Sequence, residues 1–143
     1  MTTVHLIFGV VVLVTTLAAG TWGGVAWMRS SPSVGFWYAL RVAQVAVVVQ
    51  VSLGAVLLLG GYAAPNLHYV YGGLCLLVSL FAELVRAGAA RQELGELDFA
   101  SVPPDQQQAI GLAIVRREMG VMAVGCLVIF GLALRAALLS PAG

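Results

Sequence analysis

Lysine is absent from the 143 residues, and charged side chains make up only 9% of them. Soluble domains carry about a quarter charged residues, so an ordinary soluble fold is excluded. With a formal net charge of +1 and no basic run, no nucleic-acid partner is expected. Histidine occurs twice and cysteine twice, too few for a disulfide framework. What fills the chain instead is apolar residues, at 61%. Residues 1–28 contain no Asp, Glu, Lys or Arg, and neither do residues 42–82. Uncharged apolar runs longer than about 18 residues read as membrane spans.

Four spans are predicted, at about 4–28, 35–60, 67–87 and 117–139. "RSSPSVG" separates the first two, and "YAAPN" with Pro65 separates the second from the third. The expected fold is all-α: an integral membrane four-helix bundle made of two tandem helical hairpins, forming one domain over 1–143. No Lys or Arg precedes the first span, and its apolar run exceeds a signal h-region, so it is expected to stay as a span. Arg29 and Arg41 flank the first connection, and Arg86, Arg91, Arg116 and Arg117 flank the third. Only Arg135 lies towards the opposite side. The positive-inside bias then predicts a plasma (inner) membrane protein with both termini outside and residues 88–116 in the cytoplasm. That connection reads as a solvated elbow, although 105–117 has the composition to start the fourth helix early.

His5 stands in "VHLIFG" and His68 in "LHYVYG", each four residues ahead of a glycine, Gly9 and Gly72. Aligning the two pairs Phe8 with Tyr71 and Thr16 with Ser79, and "SLGAVL" at 52–57 with "IFGLAL" at 129–134. Two parallel repeats are related by an axis along the membrane normal, which carries His5 onto His68 at equal depth. Two imidazoles facing each other across a bundle are suited to the axial positions of one haem iron. Gly9 and Gly72, one turn below, leave room for a flat ring, and Thr16, Gly20 and Gly23 or Cys75, Ser79 and Ala82 continue those small faces. The alternative is a headgroup-level histidine beside a helix-packing glycine. Zinc would need thiolates or carboxylates that these stretches lack. Arg135 is the candidate partner for haem propionates, with Tyr62, Asn66 and Tyr69 as weaker ones. Gln44 and Gln50 read as interhelical hydrogen-bonding groups, Gln50 near mid-membrane. Glu83 and Arg86, three apart, read as an intrahelical ion pair, with a proton or quinone role as the alternative. Trp22, Trp27, Trp37 and Tyr38 form an interfacial aromatic belt.

On these residues the chain resembles half of a haem A synthase, a family built from two four-helix haem-binding halves. The matching stretch is "LRVAQVAVVVQVSLGAVLLLGGYAAPNLHYVYGGL" at 40–74, and "VHLIFG" matches the other ligand-bearing helix. The resemblance implies one b-type haem near the outer face, ligated by His5 and His68. The acidic residue that the family's oxidising half places one turn before a haem histidine falls here at Thr2 and Pro65. The outer turn also lacks the cysteine pair of many members, so the likeness carries the bundle and cofactor rather than oxidation of a haem methyl group. The expected function is electron transfer or haem handling, with a redox protein or quinone as partner. The alternatives are a half-size haem A synthase working as a homo-oligomer and a cofactor-free accessory or assembly subunit of a respiratory complex.

Overall fold

A computed structural model of the chain describes residues 2–95 and 99–139. Among them are four long helices, α1 (Thr2–Met28), α2 (Val34–Leu59), α3 (Asn66–Leu94) and α4 (Pro104–Leu138), and a short 3-10 turn at Phe99–Ser101. All four are long and apolar enough to cross a membrane. The chain is thus an all-α four-helix bundle of two tandem hairpins, α1–α2 and α3–α4. One end of the bundle, where α1 and α3 begin, carries the histidines. The other carries six arginines.

Short signals set the connections. The Ser33 hydroxyl accepts from the Phe36 amide at 3.3 Å and caps α2. Gly61 turns the chain after α2 at φ +84°, and Gly95 ends α3 at φ +54°, both left-handed conformations that suit glycine. Tyr69 closes the α2–α3 turn: its hydroxyl accepts from the Ala64 amide at 2.7 Å and donates to the Tyr62 carbonyl at 3.3 Å. Pro103 and Pro104 open α4.

The connection between α3 and α4 is shorter than its charge suggests. α3 continues through Leu94 and α4 starts at Pro104. Good helix formers such as "RQEL" and "QQQAIGLAIVR" carry the helices past the apolar runs. α4 has 35 residues, about 52 Å at ~1.5 Å each, against a hydrocarbon core of ~30 Å. Glu96, Leu97 and Asp98, in the middle of that connection, lie outside the described residues, as do Met1 and 140–143.

Small side chains fill much of the interior, and many large ones face outward. Ala19, Ala43, Ala123, Thr16 and Cys126 are buried, while Leu77, Phe81 and Leu84 are exposed. Packing by close backbone approach, with large apolar groups left for lipid, is the membrane-protein pattern. A methyl group built on Gly20 would lie 2.7 Å from Leu127 Cδ2 and 3.2 Å from the Leu127 backbone nitrogen. That closeness defines the α1/α4 seam. At the arginine end the core closes around Phe36, Leu40, Met119 and Met122. Further along it thins to Val12, Val47, Cys75 and Ile129. Cys75 and Cys126 are both free and buried.

The helices do not pack as an even ring. α1 packs closely on α2 and on α4, and α3 packs closely on α4, but α2 and α3 touch only sparsely. A strict repeat would make the α2/α3 seam the twin of α1/α4. The symmetry holds for the hairpins and fails for the seams between them.

Candidate functional site

Each histidine enters the bundle in the first turn of its helix. α1 and α3 run in the same direction and stand diagonally across the bundle, so the two rings meet at one end of it. Their centroids are 6.0 Å apart and the planes are inclined by 59°. The matched spacing read from the sequence does bring the two imidazoles together.

His68 is oriented by the end of α4. Its Nδ1 lies 3.0 Å from the Ala136 carbonyl oxygen. The same carbonyl accepts from the Leu139 amide at 3.2 Å, and its second lone pair takes the ring N–H. A carbonyl can only accept, so Nδ1 carries the proton and the lone pair is on Nε2. An imidazole N–H given to a backbone carbonyl is the usual way a ligating histidine is held in one tautomer.

His5 is oriented by α2. Gln50 Nε2 lies 3.3 Å from His5 Nε2, and the amide donates to the ring lone pair. A methyl group built on Gly54 would lie 3.3 Å from His5 Cε1, and one on Gly9 would lie 3.3 Å from Gln50 Nε2. Two glycines therefore make the space in which His5 and Gln50 lie side by side. Among the described residues, His5 Nδ1 and Gln50 Oε1 are buried side-chain atoms with no hydrogen-bond partner. Buried polar atoms are ordinarily satisfied, so the site has donor and acceptor capacity to spare.

The other expected residues divide. Gly9 belongs to the site through Gln50. Gly72 sits on α3 one turn below His68, where an added methyl group would meet nothing within 4 Å. Arg135 is exposed, next in the chain to the Ala136 that holds His68. The Tyr69 hydroxyl is taken up by the turn, and Tyr62 and Asn66 are exposed. Gln50, read from the sequence as an interhelical hydrogen-bonding group, takes a histidine as its partner. It stands against His5 because α2 runs beyond the start of α1 at this end. Gly54 and the Ala136 carbonyl had no signal of their own in the sequence; a glycine four residues after Gln50, on the same helical face, was the one available hint.

The opposite end holds a separate polar cluster. The Glu83 carboxylate accepts from Arg41 Nη1 at 2.6 Å, Gln44 Nε2 at 2.7 Å and Arg86 Nε at 2.7 Å. Arg86 Nη1 also lies 3.5 Å from Glu118 Oε2. The Glu83–Arg86 pair expected within α3 is present, and it is one part of a network joining α2, α3 and α4. Glu83 is fifteen residues along α3 from His68, about 22 Å at ~1.5 Å per residue.

Two imidazoles with fixed or fixable tautomers can share a proton, accept hydrogen bonds or ligate one metal from opposite sides. Among the described residues no three of His, Cys, Asp and Glu gather to hold a metal ion, so a metal bound here would need its remaining ligands from a macrocycle or from solvent. No protein-family model, curated protein or solved structure matches the chain.

Proposed function

We propose that this protein binds one b-type haem through His5 and His68 and serves in electron transfer or haem handling. The separation of the two rings carries the reading. The two rings meet at one end of the bundle with centroids 6.0 Å apart, close enough for both to reach one metal ion. Iron with a porphyrin needs only two protein ligands, which is the number this site supplies. The Nδ1–H of His68 on a backbone carbonyl supports the same role for its Nε2. Bound haem would supply one-electron chemistry; the chain's part is to present two neutral imidazoles in an apolar setting. Gln50 donates to the His5 lone pair that iron would take, so its amide must give way or turn aside. The sparse α2/α3 seam leaves the flank of the histidine pair least walled by helix packing, and Arg135 is the nearest sequence neighbour with a cation for propionates.

The arginine distribution supports an orientation with the histidine end outside and the α3–α4 connection in the cytoplasm of a plasma membrane. The resemblance of residues 40–74 to haem A synthases supports the cofactor class. It carries no further than the cofactor, because Thr2 and Pro65 stand where the family's oxidising half has its acidic residue.

The test is the visible spectrum of protein purified from haem-replete cells. A low-spin, six-coordinate haem with sharp reduced α and β bands is expected. His5→Ala and His68→Ala should each give high-spin or haem-free protein, and the double variant should bind none. A missing Soret band, or one that survives both changes, overturns the proposal and leaves a cofactor-free accessory subunit as the better reading.

A further inference from the structure

The two histidines are held by opposite kinds of partner. His68 gives its Nδ1–H to the Ala136 carbonyl of α4. His5 receives instead: the Gln50 amide of α2 donates to its Nε2 at 3.3 Å. A neutral imidazole that accepts at Nε2 carries its proton on Nδ1. Both rings therefore hold the same tautomer, with the lone pair on Nε2. The arrangement at His5 differs in one respect. It occupies that lone pair, and it leaves His5 Nδ1 and Gln50 Oε1 buried with no hydrogen-bond partner among the described residues.

Those two atoms are complementary. The Nδ1–H is a donor that lacks an acceptor, and an amide oxygen can only accept. Both also belong to the side of the ring that faces α2. Gln50 meets the ring at Nε2. Gly54 lies one turn further along the same helix, where an added methyl group would stand 3.3 Å from Cε1 and 3.9 Å from Nδ1. The ring edge from Nε2 to Nδ1 thus runs along α2, with bare glycine backbone beside its Nδ1 end. A half-turn of the amide exchanges its nitrogen for its oxygen. Leaving a buried donor or acceptor unpaired costs more than an average hydrogen bond returns. An arrangement that joins the two is therefore favoured whenever Nε2 is engaged elsewhere.

We infer that Gln50 is a positioning residue for His5 with two hydrogen-bonding positions. Its N–H rests on the Nε2 lone pair while the site is empty, and its oxygen accepts from Nδ1–H once iron takes that lone pair. The second position rests on haem ligation as proposed; the first does not. In the first, the amide is a placeholder that keeps the proton off Nε2. In the second, it does for His5 what the Ala136 carbonyl does for His68. An acceptor on the outer nitrogen also makes a ligating imidazole more basic.

Proton–nitrogen correlation spectra of the full chain with nitrogen-labelled histidine test both positions. The chain has only two histidines, so His5→Ala assigns the signals. In the haem-free protein, wild-type His5 is expected as the Nδ1–H tautomer alone, and Gln50→Leu as a mixture of both tautomers. In the reduced, diamagnetic haem-loaded protein, the His5 Nδ1–H proton should lie downfield, because a hydrogen-bonded proton is deshielded. It should move upfield in Gln50→Leu and stay downfield in Gln50→Glu, which keeps an oxygen acceptor. The reduction potential should rise in Gln50→Leu, where the ligand is less basic. Ser52→Ala, at an exposed α2 position whose hydroxyl bonds the Val48 carbonyl, should move none of these. A tautomer mixture in wild type, or a single tautomer kept in Gln50→Leu, overturns the first position. An Nδ1–H proton unmoved in Gln50→Leu overturns the second and leaves the amide merely displaced. Wild type that takes up no haem overturns the haem proposal and the second position with it, while the tautomer result still decides the first.

Discussion

Replacing Glu83 with Gln should weaken the bundle more than any other single change in its polar cluster. Glu83 accepts from Arg41 and Gln44 of α2 as well as from Arg86 of its own helix. Two of these three bonds therefore cross the α2/α3 seam, where other contact is sparse. Interhelical hydrogen bonds in membrane proteins average about 0.6 kcal/mol and reach about 1.7, and bonds to a charged acceptor lie towards the upper part of that range. The Arg41 and Glu83 side chains are 54% and 27% exposed, so solvent screening removes part of the ionic share. Loss of the carboxylate is then expected to cost about 1–3 kcal/mol. Arg41→Gln should cost less than about 1 kcal/mol, because the exposed guanidinium is screened and Glu83 keeps its other two donors. Arg86 should fall between, since it also faces Glu118. Steric trapping or reversible unfolding in mixed micelles gives these values directly. If Glu83→Gln costs under about 0.5 kcal/mol, or no more than Arg41→Gln, the carboxylate is not the tie between α2 and α3.

Three further expectations can be checked with similar material. Gly23→Ala should destabilise by about 1–3 kcal/mol in the same assay, because the new methyl group overlaps the fully buried Phe36 ring, 2.7 Å from Cδ2. Gly72→Leu should leave stability unchanged, since its side chain enters open space, while lowering haem occupancy; unchanged haem would remove Gly72 from the site. Gln50→Leu should keep haem occupancy at or above wild type, because the donor competing for the His5 lone pair is gone, and a drop would make the amide a required contact. Cysteine labelling from outside should reach position 64 and miss position 98; the reverse pattern would put the histidine end inside.

The spans were legible because charge is so unevenly distributed: two long uncharged runs and two proline-marked breaks leave little choice of helix. The histidine pair was legible because equal spacing from Gly9 and Gly72 on same-direction helices fixes equal depth. Three things were hidden. The last turns of α3 and the first turns of α4 carry charged and amide side chains that are good helix formers, and charge reads as loop more readily than as helix. The contact of Gln50 with His5 was hidden because counting along α2 says nothing of how far that helix slides past α1. The unevenness of the seams was invisible because a repeat implies equal interfaces, and only placed side chains show that Gly20 brings α1 onto α4 while Gly72 and Gly73 on α3 face nothing.

The order of helices around the bundle is α2, α1, α4, α3, an arc whose open side lies between its two ends. The turn at residues 60–65 bridges that open side, so the covalent joint between the hairpins spans their weakest interface. Their strongest interface, α1 on α4, joins the most distant parts of the chain. A ribosome therefore delivers a first hairpin that packs only within itself and carries one histidine, with nothing to set opposite it. His68 arrives with α3, and the carbonyl that orients it arrives only near the end of α4. The histidine site is in this sense a completion mark: no partly synthesised chain presents both imidazoles in register, and any ligand that needs both can be captured only after the second hairpin has docked. Cutting the turn at 60–65 should then leave two fragments that still find each other, with the seam between α1 and α4 as the recognition surface.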